Sequence, residues 1–202
     1  MSLSAGGLDA ACTDLIIAGA LHTNSAQVTH VRNLIIQGGG LMDAAASVID
    51  VGGNWSNGGT FTASGGQVNF GDDCGVDPSI VSGSNTFHNV SFVTGAGKTW
   101  QFAAGSTQTV TDVLTIQGNG AEAVNFRSTV PGEAAFIDAN GPVSRTNLSV
   151  VNVTFLDQSN PAVSVPVPTL SATGILVLIL LLSAAFVGTS SRRPSQKSTW
   201  GN

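Results

Sequence analysis

Charge is scarce in this chain. Charged residues make up 9% of it, tyrosine is absent, and there are two cysteines and three histidines. No run of Glu, Lys, Leu and Ala carries a 3.6-residue period, which leaves no candidate for an amphipathic helix. The few bases form no stripe, and 12 acids outnumber 7 bases. This argues against a nucleic-acid partner and against peripheral binding to anionic lipid. His22, His30 and His88 are scattered, and no His/Cys pair has metal-ligand spacing. There is no Gly-x-Ser-x-Gly elbow and no phosphate loop. Asp112, Glu122, Glu133, Asp138 and Asp157 are isolated, so paired carboxylates for glycoside hydrolysis cannot be argued. No catalytic constellation is present, no cofactor is called for, and the expectation is a protein that is not an enzyme.

What is present lies first in the last 36 residues. Val167-Pro168-Thr169-Leu170-Ser171 and Gly174 lead into the apolar run Ile175 to Leu182, and Arg192, Arg193 and Lys197 follow. Residues 170–187 contain no acid or base. As a helix, 18 residues at about 1.5 Å each span roughly 27 Å, near the thickness of a hydrocarbon core. A single transmembrane helix is expected, with the arginines on the cytoplasmic side and everything before it exported. The charge split agrees: the chain before Ser159 has net charge −8 and the tail +3, which together make the stated −5.

That tail resembles the IPTL-type C-terminal sorting signals of Gram-negative bacteria, relatives of the PEP-CTERM signals. The common form is Ile-Pro-Thr-Leu-Ser-Glu-Trp-Gly. Here Val167 replaces Ile, and Ala172-Thr173 replaces Glu-Trp. The resemblance covers roughly residues 165–193. It implies export, recognition by a membrane-embedded, exosortase-like sorting protease, and removal of the helix. The precursor would sit in the inner membrane and the mature form at the cell surface or outside it. A permanent single-pass anchor is the simpler alternative. The first ten residues lack the basic, apolar pattern of an export signal. Met1 is therefore expected to be a truncated or misassigned start, with Ser4-Ala5-Gly6 the remnant of a cleavage region.

The body is a series of short β-rich bursts separated by Gly, Asn and Ser. Gln67-Val-Asn-Phe, Lys98-Thr-Trp-Gln-Phe and Val113-Leu-Thr-Ile are examples. Arg32-Asn33-Leu34-Ile35-Ile36 resurfaces as His88-Asn89-Val90-Ser91-Phe92 and as Thr146-Asn147-Leu148-Ser149-Val150. A long period holding several short strands predicts stacked coils, each turning its apolar side chains inward. Asn33, Asn89 and Asn147 are expected at equivalent corners, satisfying backbone groups. A β-sandwich is the alternative, against which the repeat and the wealth of Gly and Asn weigh.

The stretches from Phe87 to Gly118, from Val124 to Gly132 and from Val150 to Asp157 resemble coils of right-handed parallel β-helix segments in large bacterial surface proteins. The expected fold is thus all-β: a right-handed parallel β-solenoid of about six coils at roughly 22 residues each, followed by the helix. The expected organisation is a cap or truncated start at 1–27, the solenoid at 28–157, a Pro-rich linker at 158–168, the sorting signal at 169–193 and a basic tail at 194–202.

Three details complete the reading. Cys12 and Cys74 are either two free thiols or, as an exported protein with an even count favours, a disulfide. Asp72, Asp73 and Asp77 stand in a Gly-flanked loop that reads first as solvated and second as a weak Ca²⁺ candidate. Asn54, Asn89, Asn147 and Asn152 each begin an Asn-x-Ser/Thr triplet, relevant only where a host glycosylates it. The function expected is that of a noncatalytic surface or matrix protein, structural or adhesin-like. Its partners would be extracellular polysaccharide or neighbouring surface proteins. The alternatives are a carbohydrate-active β-helix enzyme and a membrane-anchored sugar- or ion-binding module.

Overall fold

Alternation of buried and exposed residues sets the local structure. In Gln67–Phe70, Val68 and Phe70 point inward while Gln67 and Asn69 face outward, and Thr99–Phe102 repeats this with Trp100 and Phe102 inside. A segment of this kind buries one side only, so it needs neighbours in register above and below. The computed structural model describes residues 1–3 and 6–156. It supplies those neighbours by winding the chain into a parallel β-solenoid of about seven turns.

Each turn contributes one strand to each of three faces. The first turn runs through β1 (Leu8–Ile17), which spans two faces, and β2 (Ala20–His22). The second does the same with β3 (Val28–Ile36) and β4 (Leu41–Asp43). Five turns of three strands follow: β5 (Val48–Val51), β6 (Trp55–Asn57), β7 (Thr60–Thr62); β8 (Gln67–Phe70), β9 (Ser79–Ser82), β10 (Asn85–Phe87); β11 (Asn89–Thr94), β12 (Thr99–Phe102), β13 (Thr107–Val110); β14 (Leu114–Gly118), β15 (Val124–Ser128), β16 (Ala135–Ala139); and β17 (Val143–Thr146), β18 (Leu148–Val151), β19 (Val153–Phe155). Every strand-to-strand pairing is parallel and joins consecutive turns. On the first face the register ladder is Leu8, Val28, Ile49, Val68, Val90, Leu114, Val143. The stack thus begins with β1, ahead of residue 28. The only helical piece among the described residues is a 3₁₀ turn at Asp73–Gly75.

The interior is a column of apolar side chains. Val51, Phe70, Phe92 and Ile116 succeed one another in register, and Phe70 stacks on Phe92 with ring centres 4.7 Å apart and planes 8° off parallel. Trp55 meets Phe61 edge-on at 4.8 Å, and Phe126 meets both Phe92 and Phe102 at 4.9 Å. Trp55 and Trp100 are both fully buried. Edge-to-face contacts add about 0.5–1.5 kcal/mol per pair beyond area burial. A column of them gives the rod an interior that a single coil could not make.

Corners are where the turns differ. β1 and β3 cross the first corner as continuous strands bent by residues at positive φ, Ala11 and Cys12 in one and His30 in the other. In the seventh turn single asparagines, Asn147 (φ 53°) and Asn152 (φ 57°), make both corners. Asn tolerates this left-handed conformation better than most residues. At the second corner a Cβ on Gly40 would collide with the Ile17 carbonyl, and one on Gly59 with the Gly40 carbonyl. Glycine is required there by the closeness of the coils.

The three asparagines of the long repeat do not share one corner. Asn33 and Asn147 lie at the corner between the first and second faces, whereas Asn89 opens the first face, paired with Gln67. The Asn-then-alternating-apolar pattern marks any strand start after a turn, and each coil has three such starts. Their shared duty is satisfying backbone groups of a neighbouring coil. Asn33 accepts from the Asn54 N–H at 2.9 Å, Asn89 accepts from the Val113 N–H at 3.0 Å, and Asn147 donates to the Asn119 carbonyl at 3.0 Å.

Among the described residues no helix is long and apolar enough to cross a membrane. The segment 170–187, the linker and the sorting motif residues Val167, Pro168, Thr169, Leu170, Ser171, Gly174, Arg192 and Arg193 lie outside the described residues.

Candidate functional site

The first corner carries most of the unusual chemistry. Between β8 and β9 the fourth turn makes a detour from Gly71 to Pro78. Cys74, in the 3₁₀ turn of that detour, is disulfide-bonded to Cys12 in β1, with Cα atoms 5.2 Å apart. The bridge ties the first turn to the fourth along the outside of the rod.

Lys98 lies at the same corner of the fifth turn and is buried, with 4% of its surface exposed. Its Nζ donates to the carbonyl oxygens of Gly71 at 2.7 Å and Gly52 at 2.5 Å, reaching back through two successive turns. The ammonium lies 5.2 Å from the centre of the Trp100 ring. Burial pushes the Lys98 pKa down from its ordinary value of 10.5, and Asp72, Asp77 and Asp73 oppose that shift. A buried cation needs hydrogen bonds and nearby opposite charge; Lys98 has the two carbonyls, and the aspartates favour its charge without an ion pair within 4.0 Å.

Of the three aspartates of the Ca²⁺ candidate, Asp72 and Asp77 line one cleft with Lys98. Asp72 Oδ2 accepts from the Gly95 N–H at 2.6 Å, and Asp77 Oδ1 accepts from the Thr99 N–H at 2.9 Å. These bonds dock the detour onto the fifth turn. Among the described residues no three His, Cys, Asp or Glu side chains gather as a metal-binding group. Asp72, Gly75, Val76, Asp77, Ala96 and Lys98 line a small cleft of about 170 Å³.

Each histidine faces an aspartate of an adjoining turn: His30 with Asp9 at 3.0 Å, His22 with Asp43 at 3.4 Å, and His88 with Asp112 at 3.6 Å. These are partly exposed pairs between coils and are separate from one another. Asp14 Oδ1 accepts from Arg32 Nε at 2.9 Å and from Asn33 Nδ2 at 2.8 Å. The Arg32 bond holds the Asp14 carboxyl below its ordinary value. Asp9 is likewise lowered, first by the Ala11 N–H and then by His30.

Two larger hollows lie toward the ends of the rod. One, of about 350 Å³, is the apolar underside of the first turn, walled by Leu8, Leu15, Ile16 and Leu21. The other, of about 300 Å³, lies on the second face of the last three turns. Gln101, Arg127, Ser128, Thr129, Pro131, Val151 and Asn152 line it. The sequence marks Asn152 only as the start of an Asn-x-Ser/Thr triplet and gives Gln101 and Arg127 no role. Alternation with buried Trp100, Phe102 and Phe126 marks the latter two as outward-facing, but nothing linear brings the three together.

Comparison with known proteins finds no matching family model, no similar curated protein and no similar solved structure.

Proposed function

We propose that this chain is an exported, noncatalytic surface or extracellular-matrix protein of a Gram-negative bacterium. In this reading the solenoid is its structural or adhesive body, and the C-terminal segment is the address that delivers it. The Cys12–Cys74 disulfide is the observation that carries the proposal. Such bonds persist in oxidising compartments, outside the cytoplasm. That supports the orientation drawn from the −8 body and the +3 tail.

On this reading residues 170–187 form a transmembrane helix. Pro161, Pro166 and Pro168 keep the preceding linker extended and stop the helix from running backward. The partner for sorting is an exosortase-like membrane protease acting near residues 167–171. The partners of the mature body are extracellular polysaccharide or neighbouring surface proteins.

Intact mass of the surface-exposed form is the test. A mature protein lacking residues 175–197 is the expected result. Pro168→Ala combined with Thr169→Ala should leave the precursor uncut in the inner membrane. Replacing Arg192 and Arg193 should disturb its orientation. A surface form that still carries residues 175–197 would reject sorting in favour of a permanent anchor.

A further inference from the structure

We propose that the cleft over β12, β15 and β18 binds a carboxylate-bearing sugar unit, with Arg127 as the group that holds the carboxylate. The argument begins with cations. Four basic residues precede residue 157. Arg32 is paired with Asp14, Lys98 is bonded to two carbonyls, and Arg145 lies over the Phe155 ring at 4.1 Å. Arg127 has neither an ion pair nor a side-chain hydrogen bond among the described residues, in a body of net charge −8. It stands at the wall of a 300 Å³ hollow with no carboxylate in its lining.

Register explains the gathering. Gln101 pairs with Arg127, and Arg127 with Val151, on three consecutive turns. Strands of one sheet lie about 4.8 Å apart, so the outward side chains of this row stand side by side. Asn152, turned at positive φ, closes the end of the row. The side-chain amides of Gln101 and Asn152 also have no hydrogen-bond partner among the described residues. Thr129 Oγ1 accepts from the Ala104 N–H at 3.0 Å, and its hydroxyl keeps a proton to donate.

The chemistry of this set selects the ligand. A guanidinium fork with the Thr129 hydroxyl beside it suits a carboxylate, which it can hold by two parallel charge-assisted bonds. The amides of Gln101 and Asn152 each add an acceptor oxygen as well as donors. A bare inorganic anion would leave those acceptors unused, whereas a hydroxylated acid would fill them. Pro131 and Val151 offer apolar surface for the C–H face of a ring, and the volume is at the lower end of the range for small-ligand sites, about 300–1,000 Å³. The choice of a polymeric sugar acid as its source rests on the matrix reading above, in which the mature body meets extracellular polysaccharide.

The test is calorimetric titration of the full chain, held in a polyoxyethylene detergent, with a short uronic-acid oligomer and with its neutral hexose counterpart. The acidic oligomer should bind and the neutral one should bind at least about tenfold more weakly, the low end of what charge-assisted hydrogen bonds contribute. Arg127→Gln should lower affinity for the acid by a similar factor. Asn152→Asp, which keeps size and tolerates the same positive φ, should lower it too through like-charge repulsion. Far-UV circular dichroism checks that both variants keep the solenoid. Equal binding of the neutral oligomer, unchanged binding in both folded variants, or no binding of the acid at about 10 mM, a free energy weaker than about −2.7 kcal/mol, would each overturn the proposal. Free acetate competing as well as the oligomer would also overturn it, since the sugar would then not be read. These outcomes are independent of whether the tail is cleaved, so failure here and failure of the sorting reading are told apart.

Discussion

The ammonium of Lys98 donates to the carbonyl oxygen of Gly71 one turn back, and the same nitrogen reaches Gly52 a turn further. One side chain thus fastens three consecutive turns at the corner where the chain makes its longest detour. Replacing it with methionine keeps the aliphatic volume but leaves two carbonyls without this donor. Lys98→Met should lower stability at neutral pH by about 1–3 kcal/mol, read from urea unfolding midpoints.

The same lysine should give stability a pH dependence of defined sign. Its folded pKa lies below 10.5, so between the folded value and 10.5 the unfolded chain binds more protons. Stability therefore rises with pH through that window and levels off above it. Unfolding midpoints measured toward alkaline pH should show the rise in the native chain and lose it in Lys98→Met. An unchanged slope in the variant would assign the effect to another group.

The disulfide closes a separation of 62 residues. Loop-closure entropy for that length predicts about 4 kcal/mol of stabilisation. In a stacked fold the effect should be local, because strands pair only with strands of the adjoining turns. Cys12→Ser with Cys74→Ser should raise amide exchange in β1 and β2 well before it does so in β12 to β15. Uniform loss of protection along the rod would contradict this.

Trp55 and Trp100 are buried alike but differ in one atom. The Trp55 indole N–H donates to Asn85 Oδ1 at 3.0 Å, whereas the Trp100 N–H has no partner among the described residues. An unpaired buried donor costs about 1–3 kcal/mol. Trp100→Phe should therefore destabilise less than Trp55→Phe by roughly that amount, as compared by denaturant titration. Trp55→Phe also leaves Asn85 Oδ1 with one donor, the Asn57 amide at 3.0 Å.

Acid should loosen the first turn before the rest. Asp14 and Asp9 are both held below the ordinary 3.8, by Arg32 and by the Ala11 N–H with His30. A lowered carboxyl contributes stability above its unfolded value, and that contribution is lost as pH falls below 3.8 through the folded value. Hydrogen exchange of β1 should rise in that window ahead of β8 and β11. Asp14→Asn should weaken the dependence.

Much of the architecture was legible in the chain. Bursts such as Gln67-Val-Asn-Phe can bury one side only, and bursts with Gly and Asn between them can be closed only by stacking. Six rungs from Val28 to Val143 match the expected coil length, and Trp55 and Trp100 turn inward. The site was much less legible. Lys98 is a lone base after Gly95-Ala96-Gly97, and its partners are backbone carbonyls, which have no signature in a sequence. The corner taken by Asn89 was hidden because three kinds of corner share one local pattern.

The amino-acid sequence by itself determined that this chain stacks. Period-two alternation leaves every strand half-covered, and only a neighbour in register can bury the rest. Which residues meet across turns was decided by tertiary structure alone. The detour at Gly71 to Pro78 and the segments between β14 and β15 and between β15 and β16 change the length of individual turns. Those lengths set the register that brings Gln101 beside Arg127, and Lys98 over Gly52 and Gly71. Side-chain neighbours in a solenoid depend on how many residues each turn consumes, and that sum is closed only when the corners have formed.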